Sequence, residues 1–219
     1  MQVIAVNGSP RKNWNTAMLL RQTLDGAESK GAKTQLVHLY DIDYKGCISC
    51  FACKLKNGPS HGRCVVNDGL KPLLDRIHDA DALVLGSPIY FGSATGEMRA
   101  FQERLLFQYL QYKPGYGSLF GRTMPTACIY TMNVPHEALG QIGYEPTLKA
   151  YEASLKRTFG QSESLLSTDT LQFEDYSRYE ASAFDEKAKK NRREEVFPED
   201  CRKAFELGVR LANDSRSLL

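Results

Sequence analysis

Four cysteines fall within one short stretch, "GCISCFACKLKNGPSHGRC", as C-x2-C-x2-C followed by Cys64 after ten intervening residues. Thiols at successive spacings of three can face one centre from a tight loop, and the Gly- and Pro-containing segment "NGPSHGR" lets the chain return Cys64 to the other three. Cys47, Cys50, Cys53 and Cys64 therefore make a candidate metal centre. Four thiolates suit a 4Fe-4S cluster, which takes soft sulfur ligands on a compact scaffold. Structural zinc is a second reading, but zinc sites usually show two C-x2-C-type pairs, and His61 is the evident substitute ligand here. Thiols that hold no metal and respond to redox conditions are a third. Cys128 reads as a small core residue and Cys201 as incidental to any chemistry.

A different chemistry is suggested by "VNGSPRKNWNTA", Val6 to Ala17, which follows an apolar run and precedes a helical pattern. A helix N-terminus presents unsatisfied N–H groups and a partial positive charge, a natural seat for phosphate. Ser9, Asn13, Asn15 and Thr16 add neutral donors, and Arg11 can neutralise an anion. The loop has neither G-x-x-x-x-G-K-[ST] nor G-x-G-x-x-G, so a single phosphate fits it better than a triphosphate or a dinucleotide pyrophosphate. The alternative is an ordinary strand-turn-helix connection in which these side chains merely cap the helix. Downstream, "GSPIYFGSATGEM" sets Tyr90 and Phe91 between Pro88 and Gly92, where a planar ligand can stack or thread against backbone. "YTMNVP", Tyr130 to Pro135, adds another aromatic, backbone-rich turn. A phosphate seat with two ring-contacting loops points to a mononucleotide bearing a flat heterocycle.

The elements that must carry these loops alternate between strand and helix. Strands are predicted at Val3–Val6, Lys33–Ile42, Ala82–Tyr90, Pro125–Met132 and within Ser164–Phe173. Helices are predicted from Thr16 to about Lys30, after an Asp68 N-cap through Ile77, over Thr95–Leu110 and Glu145–Phe159, and over Pro198–Leu211. This is the pattern of a doubly wound parallel sheet, whose ligands sit beyond the carboxyl ends of the strands at the topological switch point. The expectation is one domain over 1–219, with a Cys-rich loop at about 44–67 and an elaborated segment at about 133–182. The mixed run Glu186–Glu195 reads as a solvated, salt-bridged segment and His136 as a surface histidine.

Composition narrows the partners. Twenty-eight basic against 26 acidic residues give a net charge of +2, no footprint for a polyanion, so nucleic acid is not expected. No apolar run approaches the roughly 20 residues needed to span a bilayer, and no membrane association is expected. The opening residues read as a strand rather than a signal segment, which with six cysteines leads to an expected cytoplasmic location.

"NGSPRKNWNTA", "GSPIYFGSATGEMRAF", the cysteine loop and the terminal "FPEDCRKAFELG" together resemble the flavodoxin-fold NAD(P)H-dependent FMN reductase superfamily, nearest its iron-sulfur flavoprotein branch. The resemblance implies a flavodoxin-like α/β fold, a five-stranded parallel sheet of order 2-1-3-4-5 with helices on both faces, and FMN as cofactor. It assigns Ser9, Arg11, Asn15 and Thr16 to the FMN-phosphate loop. Pro88, Ile89, Tyr90, Phe91 and Gly92 correspond to the segment wrapping ribityl and isoalloxazine, with Thr131 and Met132 as a third contact. The implied activity passes electrons from NAD(P)H to a quinone, a flavin or another acceptor, in a homodimer or homotetramer. An electron-transfer protein with a 4Fe-4S cluster and a redox-protein partner, or a thiol redox sensor, would use the same parts. Two departures stand out: Trp14 where the family often has a small residue, and a last cysteine gap longer than is typical of that branch.

Overall fold

The computed structural model describes residues 1–218. Strands β1 (Gln2–Asn7), β2 (Lys33–His38), β3 (Ala82–Tyr90), β4 (Ser93–Ala94), β5 (Met124–Thr131) and β6 (Gly160–Ser167) alternate with helices α1 (Asn15–Glu28), α2 (Lys71–Asp79), α3 (Gly96–Tyr109), α4 (Tyr144–Phe159), α5 (Glu186–Asn191) and α6 (Phe197–Ser217). Five strands run parallel in the order β2-β1-β3-β5-β6, the path expected. The sixth, β4, is an addition: two residues pairing antiparallel with the end of β3, off that path.

Successive strand residues point to opposite faces, and both faces are covered. Val3, Ala5, Val84 and Ile129 pack with Leu20, Leu24, Leu207 and Leu211 of α1 and α6. Ile4, Val6, Leu85 and Tyr130 pack with Leu74, Phe101, Leu105 and Phe159 from α2, α3 and α4. Helices α1 and α6 cross at unusually short range. A Cβ on Gly26 would overlap the carbonyl of Phe205, and one on Gly208 that of Thr23. This contact fixes α1 and so aims its N-terminus.

Several boundaries differ from expectation. β2 ends at His38, because Leu39 turns into the core through a 3-10 turn. Asp68 does not cap α2. Its carboxylate accepts from Leu70 N at 3.1 Å and pairs with buried Arg104. β6 starts at Gly160, directly after α4, where a φ of 92° makes the turn in a region only glycine enters freely. Its sequence, GQSESLLS, carries little apolar signal because it is an edge strand and half exposed. Within the stretch 133–182, α4 and β6 complete the sheet.

Candidate functional site

The loops leaving the carboxyl ends of β1, β3, β5 and β6 enclose one cleft of about 360 Å³. Ser9, Arg11, Asn15 and Thr16 line it from the first loop, Pro88, Ile89, Tyr90 and Phe91 from the second, and Thr131 and Met132 from the third. Two expected members stand aside. Asn13 is exposed and accepts from Arg21 Nη2 at 2.9 Å, because the loop turns its side chain outward along α1. Gly92 sits at the hairpin tip against the ring of Tyr144.

The first loop is shaped by its own hydrogen bonds. Asn7 Oδ1 accepts from Ser9 N at 3.0 Å, which fixes the amide so that Asn7 Nδ2 donates to His38 Nδ1 at 2.9 Å. His38 is therefore neutral, with its proton on Nε2. Burial, opposed by Asp41, pushes its pKa below the usual histidine value. Ser9 Oγ accepts from Arg11 N at 3.1 Å. The residue before α1, Trp14, gives no side-chain cap, so no loop side chain satisfies the first-turn N–H groups, and two residues of that turn, Asn15 and Thr16, line the cleft. The side chains do less than their types suggest. Thr16 and Thr131 share a 2.7 Å hydroxyl contact, and both polar atoms of the Asn15 amide are engaged, by Arg193 and by Leu171 O. Backbone N–H groups, and the Arg11 N–H groups not used in its contact with Gln172 O, are what remain to hold an anion here.

The second loop is a tight hairpin. Tyr90 pairs with Ser93, and both turn residues, Phe91 and Gly92, have positive φ (51° and 77°), the twist a two-residue hairpin needs. Glycine takes this position without strain; phenylalanine does not, and Phe91 is fully exposed. Thr95 joins the two loops: its Oγ1 donates to Gly8 O at 2.7 Å and accepts from Met98 N at 3.2 Å, capping α3.

Sequence reasoning missed the wall contributed by 170–172. Leu171 O accepts from Trp14 Nε1 at 3.1 Å and from Asn15 Nδ2 at 2.9 Å, and Gln172 O accepts from Arg11 Nη1 at 2.7 Å. Arg11 also stacks over Trp14 at 3.9 Å, and burial pulls its pKa down, opposed by Tyr90 and Glu174. Trp14 thus serves as a strut between the first loop and this wall. Tyr144, Asn133 and Val134 complete the lining.

The mixed-charge run is not simply solvated. Lys189 is 6% exposed, and its Nζ donates to Asn133 O at 3.2 Å and Oδ1 at 2.6 Å and pairs with Asp169. The bland surface reading of this segment holds for Lys190, paired with Glu186, but not for Lys189, Arg192 or Arg193, which turn inward.

Beside the cleft, the loop after β2 brings Cys47, Cys50, Cys53 and Cys64 around a void of about 20 Å³ walled by Ile48, Phe51, Val65 and Phe107. Ser49 and Phe51 take positive φ in the tight loop between these thiols, which leaves Cys53 buried, Cys47 half-buried and Cys50 at the exposed rim of the void. Glu103 accepts from Cys47 N at 3.2 Å and Gln108 from Cys64 N at 2.9 Å. Lys54 Nζ clamps the loop onto the end of α3, donating to Gln108 O at 3.1 Å and Leu110 O at 2.6 Å. Arg104, 2% exposed, lines the void, and its Nε is a buried donor without a protein partner. Burial raises the Cys53 pKa, opposed by Lys54. Among the described residues no group of three or more His, Cys, Asp or Glu is arranged to hold a single metal ion, and all six cysteines are free thiols. His136 is exposed in a 3-10 turn after β5, and Cys128 is fully buried in strand β5. Among the described residues no helix is long and apolar enough to cross a membrane.

Comparison with known proteins agrees with this geometry. The chain is 34% identical over 104 residues to an iron-sulfur flavoprotein of Methanocaldococcus jannaschii, covering 48% of this chain and 51% of that one. It is 36% identical over 104 residues to one from Archaeoglobus fulgidus, covering 48% of each. The chain thus spans about half the length of the curated relatives it matches. Its fold is shared with an NAD(P)H:quinone oxidoreductase from Methanothermobacter marburgensis (TM-score 0.70, 14% identity, 96% of both chains). It is shared too with an FMN-dependent NADH-azoreductase from Bacillus anthracis (TM-score 0.65, 12% identity, 97% of this chain and 100% of that one). The family model described as NADPH-dependent FMN reductase matches residues 1–129, more than half of the chain and all of its first two cleft loops, and the protein belongs to that family.

Proposed function

We propose that the protein is an FMN-dependent oxidoreductase that takes electrons from NAD(P)H and delivers them to a small-molecule acceptor such as a quinone or a flavin. The observation that carries this reading is the uncapped mouth of α1 opening into a cleft also walled by the Pro88–Phe91 hairpin. The cleft fits the cofactor: its volume lies in the range of small-molecule sites, and the uncapped first turn of α1, whose Asn15 and Thr16 line it, has backbone N–H groups to offer one phosphate. When bound, FMN supplies hydride acceptance and passes electrons onward singly or in pairs. The chain's part is to bind and orient. Ser9 and the first-turn amides hold the phosphate end, Thr131 and Met132 border the far side, and Trp14 and Tyr144 limit water access. The exposed side of Tyr90 and Phe91 leaves one approach open for nicotinamide and acceptor in turn. Hydride transfer itself needs no side-chain acid or base.

A second element is favoured by a separate observation. We infer that the four cysteines seat a 4Fe-4S cluster, as the names of the relatives suggest for those proteins. Four soft donors ring one small void, and the unpartnered Arg104 Nε suits an N–H donor to a sulfur there. When bound, a cluster supplies one-electron transfer. Anaerobic purification with FMN, iron and sulfide analysis and steady-state oxidation of NADH and NADPH tests both parts. The expected result is a yellow-brown protein with about four iron atoms per chain and acceptor-dependent turnover. A colourless protein that does not retain added FMN would overturn the flavin reading, and retained FMN without iron would overturn the cluster alone.

A further inference from the structure

Helix α5 runs into a five-residue π turn, Arg192–Val196, before α6 begins. Such wide turns are frequent at functional positions, because they redirect side chains. This one sends Arg193 back to the first turn of α1. Its Nη1 donates to Asn15 Oδ1 at 2.9 Å, its Nη2 approaches Met18 Sδ at 3.0 Å, and its guanidinium lies 4.1 Å from the Phe197 ring centroid. The neighbouring Arg192 is neutralised by Asp200. Arg193 is half-buried, and among the described residues no carboxylate forms an ion pair with it. A cation partly withdrawn from water without a counterion is unfavourable unless an anion completes the site. The other cations at this end of α1 are differently placed: Lys12 is paired with Asp41, Arg21 is exposed, and Arg11, which lines the cleft directly, is exposed and tied to Gln172 O by one N–H.

We propose that Arg193 is a second countercharge for the cofactor phosphate, set behind the mouth of α1 and acting through Asn15. The inference rests on the flavin reading above. Asn15 is locked from both ends, its Oδ1 receiving Arg193 and its Nδ2 donating to Leu171 O, so its backbone N–H and those of Thr16 and Ala17 keep a fixed aim. The guanidinium charge adds to the partial positive charge of the same helix end. Arg193 is thus a positioning residue supplied from far along the chain, in place of the lysine that a phosphate-binding loop of another type would carry itself.

The test compares two ligands that differ only in phosphate. Binding of FMN and of riboflavin to the apoprotein is measured by flavin fluorescence at low and moderate salt, for the wild type and for Arg193→Gln, Arg193→Met and Arg193→Lys. Loss of the charge should weaken FMN about tenfold at low salt, leave riboflavin within about twofold and flatten the salt dependence of FMN binding. Arg193→Lys should restore most of the difference. Arg193→Met keeps an apolar stem against Met18 and Phe197 and serves if Arg193→Gln does not fold. Equal weakening of both flavins would assign Arg193 a merely structural role and overturn the proposal, as would an unchanged FMN affinity. A wild type that binds neither flavin would instead overturn the reading of the cleft, and this inference with it.

Discussion

Replacing Lys189 with methionine tests how the cleft is held together. The ammonium is 6% exposed and joins the loop after β5, through Asn133, to the loop after β6, through Asp169. Asp169 holds a positive φ of 52°, a conformation that needs support from its surroundings. Breaking a fully buried ion pair costs about 3–5 kcal/mol, and a hydrogen bond that involves a charged group contributes about 1.5–3 kcal/mol. The carboxylate of Asp169 stays 34% exposed and recovers hydration, which lowers the ionic part. The net expectation is a loss of about 2–4 kcal/mol. In urea, with a slope of about 2 kcal/mol/M, the midpoint should fall by about 1–2 M. Flavin affinity should fall with it, since Asn133 and Thr170 line the cleft. Adding Asp169→Asn to Lys189→Met removes the orphaned charge and should recover part of the loss. A midpoint change equivalent to less than about 0.5 kcal/mol would return the segment to an ordinary solvated surface and refute the reasoning.

Other perturbations probe single contacts. Phe91→Gly removes a side chain without support from a positive-φ position, so thermal scanning should show an unchanged or slightly raised Tm; a drop of several degrees would mean that the ring is packed after all. His38 has a folded pKa lowered by burial, so the Asn7–His38 contribution is present above the unfolded value near 6.5 and is lost as pH falls through the lower folded value. His38→Gln, whose amide oxygen accepts from Asn7 without titrating, should flatten the acid limb of Tm between pH 7 and 5, and identical slopes would contradict this. Cys50→Ala should abolish iron retention while leaving FMN binding near wild type, measured by metal analysis and flavin absorbance; full iron content would remove Cys50 from the ligand set.

The parallel sheet was legible because buried strands such as "ALVLGSPIY" carry continuous apolar runs, and their loops carry the turn residues that end them. The first two cleft walls could be read for the same reason: Gly, Pro, Ser and Asn mark where backbone is exposed at a strand end. Three features could not be read. The half-exposed edge strand β6 has almost no hydrophobic signal, so its end and the wall at 170–172 were misplaced. Asn13, Asn15 and Thr16 look alike as donors, yet only the fold decides that one faces outward and the other two are occupied by partners more than a hundred residues away. Lys189 and Arg193 sit in a run of mixed charge, where composition describes the average residue, while the inner face of α5 and the π turn after it decide which ones point inward.

The most direct measurement of the central claim is an amide-resolved NMR titration of the apoprotein with FMN. The largest shifts should cluster at backbone amides of residues 9–17 and 88–92, saturating at one FMN per chain, with smaller effects at 131–133 and 170–172. Shifts concentrated on the outer groove that Arg99, Phe107, Tyr151 and Arg157 line between α3 and α4, or an undisturbed first turn of α1, would contradict it.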